Sequence, residues 1–422
     1  MRKLASLAVV ASLALTGLIA PALTAHAAGA DPSTTTTATT TTATSAATET
    51  LQQRVEAFMA LHPATEEEKA KIRALVAQLP ADTLDRVEEL NAKLGIRDTQ
   101  AAEIADNVIN PADYQCQQTP LGDWLNSTVA GMPLIELIIL AFTPAPLFPT
   151  YDALFFGTES KANRFGVNGE YTNLLTSQMK DLRGFWDVNG SDIQLTPMHG
   201  ADVFKDVNRL ARVIRAMFGG TAEAALETAK VYLQLMNAAP GLQHGAHPYF
   251  TFNAFAFDPS DEPELLAMGL TKKIVMGDGV LQGYAAIGID SKVAPRAILA
   301  HEYGHQVQYA KDLFQTTLTG PEATRRTELM ADAFGSYFMV HSQGEALNKA
   351  RQLADQKTFY NVGDCGFTSA SHHGTPNQRY NTAAWAIGIA NSAVDQGHKL
   401  LVLPFTAKFE VKLPELVAPD AN

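Results

Sequence analysis

The feature that most constrains this 422-residue chain is the pentapeptide His301-Glu302-Tyr303-Gly304-His305, which has the pattern H-E-x-x-H. On an α-helix, residues i and i+4 lie about 40° apart around the axis, so both imidazoles face the same side. Two histidines placed in this way can bind one metal ion, and the glutamate that follows the first histidine then lies beside that ion. The pattern therefore predicts a zinc site with ligands His301 and His305, where Glu302 acts as general base for water.

The residues around the pentapeptide favour a helix. Asp290 and Ser291 are typical of a helix N-cap, and Pro295 suits a first turn. An apolar face then continues to about Asp312. Gly304 is a weak helix former, which costs about 1 kcal/mol relative to alanine, so we expect another backbone or the metal site to lie close to it. The alternative is an ordinary buried helix with two solvated or core histidines.

A catalytic zinc site needs a third protein ligand, and an acidic pair downstream offers one. Glu328 follows His305 by 23 residues, which leaves room for a turn and a second helix over about residues 322–341. Asp332 lies four residues later on the same face. We expect Glu328 to bind the metal and Asp332 to accept the other ring N–H of a metal-binding histidine. The alternative is a solvated acidic face.

Three sequence blocks in this order resemble the bacterial neutral zinc metallopeptidases, which are similar to the gluzincins. Residues 300–308 read A-H-E-Y-G-H-Q-V-Q, residues 328–332 read E-L-M-A-D, and residues 373–379 read H-G-T-P-N-Q-R. The resemblance covers roughly residues 295–390 and departs at Ala333, where that family often has cysteine. It implies a zinc peptidase with Glu302 as general base. It also implies the zinc ligands His301, His305 and Glu328.

The polar block 371–381 offers donors for the oxygen that becomes negatively charged during peptide hydrolysis. The candidates are His372, His373, Arg379 and Tyr380, among which His373 and Arg379 belong to the third block of the resemblance. The alternative is that these side chains only pin a loop by hydrogen bonds. We expect surface or structural roles for three further loop histidines, His199, His244 and His247.

The chain has two cysteines, Cys116 and Cys365. In an exported protein such a pair suggests one disulfide. The bridge would hold the start of the catalytic domain beside the loop that carries His372 and His373. The alternative is two separate buried thiols.

The N-terminus has the features of a secretory signal peptide. Arg2 and Lys3 precede the apolar run 4–20, and Ala25-His26-Ala27 matches a cleavage site. We therefore expect removal of residues 1–27 and an extracellular or periplasmic location. The formal net charge of −12 disfavours nucleic acid and anionic lipid as partners. We find no membrane span in the mature chain and expect a peptide or protein substrate, while the oligomeric state is not indicated.

Composition divides the rest of the chain. Residues 28–50 are rich in threonine and alanine and predict a disordered linker. Residues 51–110 predict a helical segment that serves as propeptide, spacer or lid, with helices at 65–79 and 82–94 on either side of Pro80. Residues 111–422 predict one α+β domain, mostly helical, with a zincin-like active-site helix and a small sheet.

Within that domain, the clearest further helices are predicted at 202–217 and 221–236. Strands are predicted at 250–257 and 272–279, just before the active-site helix. In a zincin-like enzyme an edge strand would bind the extended substrate through backbone hydrogen bonds. The alternative is that both strands only form core sheet.

Together these patterns predict a secreted zinc peptidase with one zinc ion per chain. Two alternatives remain open. One is a non-catalytic extracellular binding protein with a structural zinc site, which would be closed by four protein ligands. The other is a zinc aminopeptidase or amidase that acts on cell-wall peptides.

Overall fold

The computed structural model describes residues 10–12, 50–94, 111–367, 369, 372–392 and 397–421. The predicted signal peptide and linker lie outside the described residues, except for residues 10–12 and Thr50. Within this part the chain is mostly helical with a small sheet, which confirms the predicted α+β class.

The described helices and strands follow one another along the chain. The α-helices are α1 (Leu51–Leu61), α2 (Glu66–Val76), α3 (Thr83–Lys93), α4 (Pro120–Val129), α5 (Leu134–Phe142), α6 (Phe148–Phe156), α7 (Thr172–Phe185), α8 (Gly200–Lys205), α9 (Val207–Phe218), α10 (Ala222–Ala238), α11 (Pro263–Ala267), α12 (Asp278–Ala286), α13 (Ala294–Ala310), α14 (Gly320–Val340), α15 (Lys349–Asn361), α16 (Pro376–Ala390) and α17 (Val402–Leu416). The strands are β1 (Val10–Ser12), β2 (Gln194–Met198), β3 (Asn253–Phe257) and β4 (Lys273–Gly277).

Among the described residues, no single helix is long and apolar enough to cross a membrane. Helix α5 and the adjoining stretch Ala145–Phe156 reach that length and composition only as a pair, which is bent by 63°.

The sheet has the strand order β1-β3-β4-β2. Strand β3 is antiparallel to both neighbours, whereas β2 and β4 are parallel. The sequence did not predict β2, which contains Pro197. A proline is tolerated there because β2 lies at the sheet edge, where one side of the backbone needs no ladder partner. The loop before α7 covers that edge, since the Leu195 N–H donates to the Glu159 carboxylate at 2.9 Å.

Two predicted elements differ from the structure. The predicted helix 202–217 is divided into α8 and α9 by Asp206, which is extended (φ −124°, ψ 107°) and caps α9 through its carboxylate. The predicted strand 250–257 begins only at Asn253, because Pro248–Thr251 forms a 3₁₀ turn. Proline at the first position of that turn fixes a helical φ and removes a donor that a strand would need.

The N-terminal helices α1–α3 pack onto the body of the domain. Thr65 and Glu68 form the predicted capping box at the start of α2. The Tyr151 hydroxyl of α6 donates to the Asn91 side chain of α3. Arg86 of α3 donates to the backbone carbonyl of Phe218, at the end of α9, and its guanidinium lies 5.1 Å from that ring. These contacts place α3 against α6 and α9, while α1 packs against α5 and α2 packs against α10.

The predicted active-site helix is α13, with Pro295 in its first turn, and the predicted second helix is α14. The two helices approach closely where glycine leaves room. A Cβ atom on Gly304 would lie 3.1 Å from both the Cα and the carbonyl oxygen of Ala331. One on Gly335 would lie 3.1 Å from the backbone nitrogen of His301. The expectation that another backbone lies against Gly304 is therefore confirmed.

Helix α13 is also fixed to the sheet. The Gln306 amide donates to the carbonyl oxygens of Phe257 at 3.1 Å and Lys273 at 2.9 Å, so it bridges the ends of β3 and β4. Both carbonyls lie at the antiparallel junction where Phe257 pairs with Lys273. The helix is therefore held between the sheet on one side and α14 on the other.

The predicted disulfide between Cys116 and Cys365 is present, with a Cα–Cα distance of 5.8 Å. It joins the segment before α4 to the loop between α15 and α16, across 249 residues of sequence. The loop that carries His372 and His373 is therefore tied covalently to the start of the domain.

We predict that Gly304→Ala destabilises the protein by about 1–3 kcal/mol, although alanine is the better helix former. The new methyl group would push α13 away from the Ala331 backbone. Gly388→Ala in α16 is the matched control, because no atom lies within 4 Å of the position its Cβ would take. Thermal or urea unfolding measures both variants. Equal stability of Gly304→Ala and Gly388→Ala would contradict the close-packing account.

Candidate metal centre

The two histidines of the pentapeptide point at each other from one face of α13. Their Nε2 atoms are 3.1 Å apart, and the side chains are almost fully buried. His301 Nδ1 lies 2.8 Å from the Asp332 carboxylate, and His305 Nδ1 lies 2.8 Å from the Gln308 side-chain oxygen. The Gln308 amide nitrogen donates to the Thr327 carbonyl, which fixes that oxygen toward His305. Each Nδ1 therefore donates a hydrogen bond, and each Nε2 is left facing the same point.

Glu328 completes this arrangement from α14. Its Oε2 lies 3.4 Å from His301 Nε2, and its Oε1 lies 3.5 Å from His305 Nε2. The side chain is fully buried, and neither oxygen has a hydrogen-bond partner in the described part of the chain. Buried acceptors without donors are costly, so a carboxylate and two imidazole nitrogens that converge in this way fit a metal cation between them.

Glu302 lies beside the same point. His301, Glu302 and His305 each offer a ligand atom, and these atoms all lie within 4.8 Å of one another, so this buried group could hold a metal ion. Glu302 is 2% exposed, and its Oε2 has no hydrogen-bond partner. Burial raises the pKa of the Glu302 carboxyl to about 7.

The surrounding charges favour a cation. Arg379 donates to both oxygens of Asp332, at 2.6 and 2.7 Å, and this pair is the main compensation for the buried negative charge. Burial opposes ionisation of Glu328, but its histidine neighbours outweigh burial and hold the pKa of Glu328 well below the usual range. Burial also opposes charge on His301, but the hydrogen bond with Asp332 and the nearby Glu328 carboxylate outweigh burial and raise the pKa of His301 to about 10. The cluster thus attracts positive charge to the space between the carboxylates.

The cavity at this point is small. It has a volume of about 30 Å³. That is space for roughly one or two water-sized groups. Its walls combine the charged cluster with apolar side chains and are formed by Ala254, Val280, Ile298, His301, Glu302, Glu328, Val362, His373 and Arg379. A peptide therefore reaches these groups only if the surrounding structure opens.

Asp364 organises the loop that carries the two further histidines. Its carboxylate accepts hydrogen bonds from His372 Nδ1 at 2.6 Å, from His373 Nδ1 at 2.9 Å and from the His373 backbone N–H at 2.7 Å. Burial opposes its ionisation, but the two histidines outweigh burial and hold the pKa of Asp364 well below its usual range. The same carboxylate interaction, working against burial, raises the pKa of His373. The result is a fixed His373 ring whose buried Nε2 has no hydrogen-bond partner.

The predicted site residues separate into two groups. His301, Glu302, Glu328, His373 and Arg379 line the cavity, and His305 and Asp332 contact them directly. The others of the polar block lie elsewhere. His372 packs against Phe367 with ring centroids 5.1 Å apart, and half-buried Tyr380 contacts Tyr360.

The remaining loop histidines lie outside the cavity wall. His199 Nδ1 lies 2.7 Å from the Asp278 carboxylate, and His247 Nε2 lies 3.1 Å from the Thr128 carbonyl. His244 is exposed. Their surroundings are those expected for structural or surface residues.

Sequence reasoning missed two polar partners, Gln308 and Asp364. Gln308 stands three residues after His305, where a helix brings i and i+3 together, so the spacing alone could have indicated it. Asp364 stands next to Cys365 and eight residues before His372. A carboxylate near a histidine pair is a recognisable signal, but the loop conformation that joins them is not visible in the sequence.

Comparison with protein-family models, with curated proteins and with solved structures finds no match to this chain. The resemblance to neutral zinc metallopeptidases therefore stays a prediction from the three sequence blocks. The chemical interpretation of the site depends on its own geometry.

We predict that Glu328→Ala loses metal more severely than Asp332→Ala. Removal of Glu328 deletes one of the three converging acceptors, whereas removal of Asp332 only frees the His301 ring, which should weaken metal affinity by roughly 10–100-fold. Zinc dissociation constants, measured side by side at one pH, test the order. The reverse order would make Asp332 the ligand, and unchanged affinity in both variants would refute the site.

We predict that replacing both cysteines by serine lowers the free energy of unfolding by up to about 5 kcal/mol, the chain-entropy value for a long loop. The change should also loosen the His373 loop, because Cys365 adjoins Asp364. Non-reducing peptide mapping of the wild type and denaturant unfolding of the double variant provide the measurements. Free thiols at both positions in protein produced under oxidising conditions, or unchanged stability, would contradict this prediction.

Proposed function

We propose that this chain is a secreted zinc-dependent peptidase. The observation that carries the proposal is the convergence of His301 Nε2, His305 Nε2 and the unpartnered Glu328 carboxylate beside a second buried carboxylate, Glu302. Three ligands with a neighbouring carboxylate are the composition of a hydrolytic zinc site. The disulfide is consistent with an oxidising compartment, as secretion requires.

In this proposal His301, His305 and Glu328 hold one zinc ion per chain. Bound zinc supplies Lewis acidity, which polarises a carbonyl and lowers the pKa of a water molecule. Asp332 and Gln308 accept hydrogen bonds from the two Nδ1 atoms and so favour the tautomer in which each Nε2 lone pair can bind the metal. Arg379 in turn holds Asp332 by two hydrogen bonds.

Glu302 is the proposed general base. Its carboxylate lines the cavity, and one oxygen has no competing hydrogen bond. It can accept a proton from the attacking water and pass it to the leaving amine. Closing off bulk water around Glu302 favours that transfer, because a buried carboxylate is more basic than an exposed one.

His373 is the proposed donor to the oxygen of the scissile carbonyl. Its ring lines the cavity, Asp364 fixes its Nδ1, and its Nε2 lacks a partner. A preorganised donor at this place would stabilise the negative charge that develops during attack. Arg379 is less suited to this role, because Asp332 already occupies its guanidinium.

The edge of β3 that β1 occupies is the proposed binding site for the extended substrate, because removal of residues 1–27 as a signal peptide would free it. Ala254 of β3 lines the cavity, and β3 packs against α13. The tripeptide β1 already pairs there in antiparallel fashion, with Ala11 opposite Ala254. The opposite edge, at β2, is covered by the loop before α7. A peptide added along β3 would therefore place its backbone next to Glu302.

The burial of the site favours one alternative, a non-catalytic protein with a structural zinc ion. Each group that faces the metal position is at most 4% exposed, as is typical of structural sites. The peptidase and the structural zinc protein differ in the role of Glu302, because only the peptidase requires a general base. The substitution of that residue therefore separates them.

We predict that Glu302→Gln retains zinc and the fold but loses nearly all peptide hydrolysis, because glutamine has the same shape and cannot accept the proton. Cleavage of a mixed peptide library, with and without chelator, measures the activity, and metal analysis measures zinc. Glu264→Gln, on the exposed face of α11, is the control for the chemical change. Full turnover in Glu302→Gln would refute Glu302 as base, and a wild type without chelator-sensitive cleavage would favour the structural alternative.

A further inference from the structure

Arg325 is a buried cation whose hydrogen-bonding capacity is largely unused. It is 4% exposed, and its Nε and Nη1 atoms have no hydrogen-bond partner among the described residues. The carboxylate of Glu322 lies 3.9 Å from its Nη2, beyond hydrogen-bond distance. We propose that Arg325 forms a subsite that binds a carboxylate of the peptide substrate, an inference that rests on the proposed function.

The neighbouring arginines show how unusual this is. Arg326 donates to the Glu410 carboxylate and to the Leu313 carbonyl. Arg379 donates to Asp332 and to the Val362 carbonyl. All three guanidinium groups are buried, but only that of Arg325 lacks an anion at hydrogen-bond distance. A buried charge without partners is strongly unfavourable, so an anion is the expected complement.

The position of Arg325 connects it to the metal centre. It precedes Glu328 by three residues on α14, so the two side chains lie about 5 Å apart along the helix axis and on neighbouring faces. Its Cγ lies 3.5 Å from the place that a Cβ on Gly374 would take. Gly374 follows His373 directly and has a φ of +101°, which favours glycine. Arg325 therefore lies under the loop that brings His373 to the cavity.

The surroundings of the Arg325 guanidinium favour a carboxylate. The Arg325 guanidinium lies 5.7 Å from the ring of Tyr114, which covers it from one side. In an arginine side chain the fork that binds a carboxylate by two parallel hydrogen bonds pairs Nη2 with either Nε or Nη1, so each unused nitrogen of Arg325 belongs to one such fork. One residue of an extended peptide spans about 3.5 Å, so the anionic group would lie one to three residues from the scissile bond. It is either the C-terminal carboxylate of the peptide or an aspartate or glutamate side chain.

Two pairs of matched peptides test the subsite. In the first pair, one peptide ends in a C-terminal carboxylate and the other in a C-terminal amide. In the second pair, both peptides end in an amide, and one has glutamate where the other has glutamine. Cleavage by the zinc-loaded full chain gives kcat/KM for each peptide. Calorimetry with the chelator-treated full chain gives Kd, and because this protein has no zinc, the peptide carboxylate cannot contribute by binding to the metal. We expect the anionic member of one pair to be favoured by roughly 10–100-fold.

Variants assign this preference to Arg325. Arg325→Ala should abolish it while leaving the neutral peptides little affected, and Arg325→Lys should retain part of it. Arg212→Ala is the matched control, because that guanidinium also lies over an aromatic ring, 4.0 Å from Phe156, but belongs to α9. Thermal unfolding reports whether each variant folds.

The outcomes are distinct. A preference in the first pair identifies the C-terminal carboxylate, and one in the second pair identifies a side chain. A wild-type chain indifferent to both pairs overturns the proposal even if Arg325→Ala does not fold, and so does a preference that survives in Arg325→Ala. Carboxylate-selective binding without any cleavage would support the subsite while the proposed peptidase function failed.

Discussion

The candidate site depends on the close approach of α13 and α14. Each helix contributes a pair of residues four positions apart, His301 with His305 and Glu328 with Asp332, and the pairs meet only if the backbones nearly touch. Gly304 against Ala331 and Gly335 against the His301 backbone provide that approach. A larger side chain at either glycine would separate Glu328 from the imidazoles, now 3.4 and 3.5 Å away. The packing of two glycines therefore sets the geometry of the candidate metal centre.

A common rule governs the three imidazoles around the cavity. Each has its Nδ1 held by an acceptor: Asp332 for His301, Gln308 for His305 and Asp364 for His373. Because Nδ1 is occupied, Nε2 is the atom presented to the cavity. The acceptors are themselves fixed, Asp332 by Arg379, Gln308 by the Thr327 carbonyl and Asp364 by the backbone. Burial makes this support necessary, since an unsupported charge in such a place would be costly.

Local periodicity explains what the sequence could predict. Residues four positions apart lie on the same face of a helix, which depends only on local sequence spacing. This spacing predicted that His301 and His305 share a face of one helix and that Glu328 and Asp332 share a face of the next. Because the chain has only two cysteines, only one intramolecular disulfide was possible. The Asp364 contacts, the division at Asp206 and strand β2 depend instead on how distant segments meet. Strand β2 is only five residues long and contains a proline. It is stabilised by pairing with β4 and by the hydrogen bond to Glu159, so no local sequence pattern indicates it. Nor could the sequence indicate that the cavity measures only about 30 Å³.

The small cavity limits the route by which a peptide could enter. The start of α12 is fixed, because Gly277 and Gly279 lie so close to the carbonyls of Thr251 and Pro248 that a Cβ would be 2.1 and 2.0 Å away. The histidine loop is held by the disulfide at one end and by the Thr375 capping box of α16 at the other. The edge of β3 differs from both, because an added strand pairs with backbone groups and needs no gap between packed helices. Ala254 stands between that edge and the cavity. Because Ala11 of β1 pairs opposite Ala254, a peptide that replaced β1 along β3 would, in the proposed function, lie beside the cavity that Glu302 also lines.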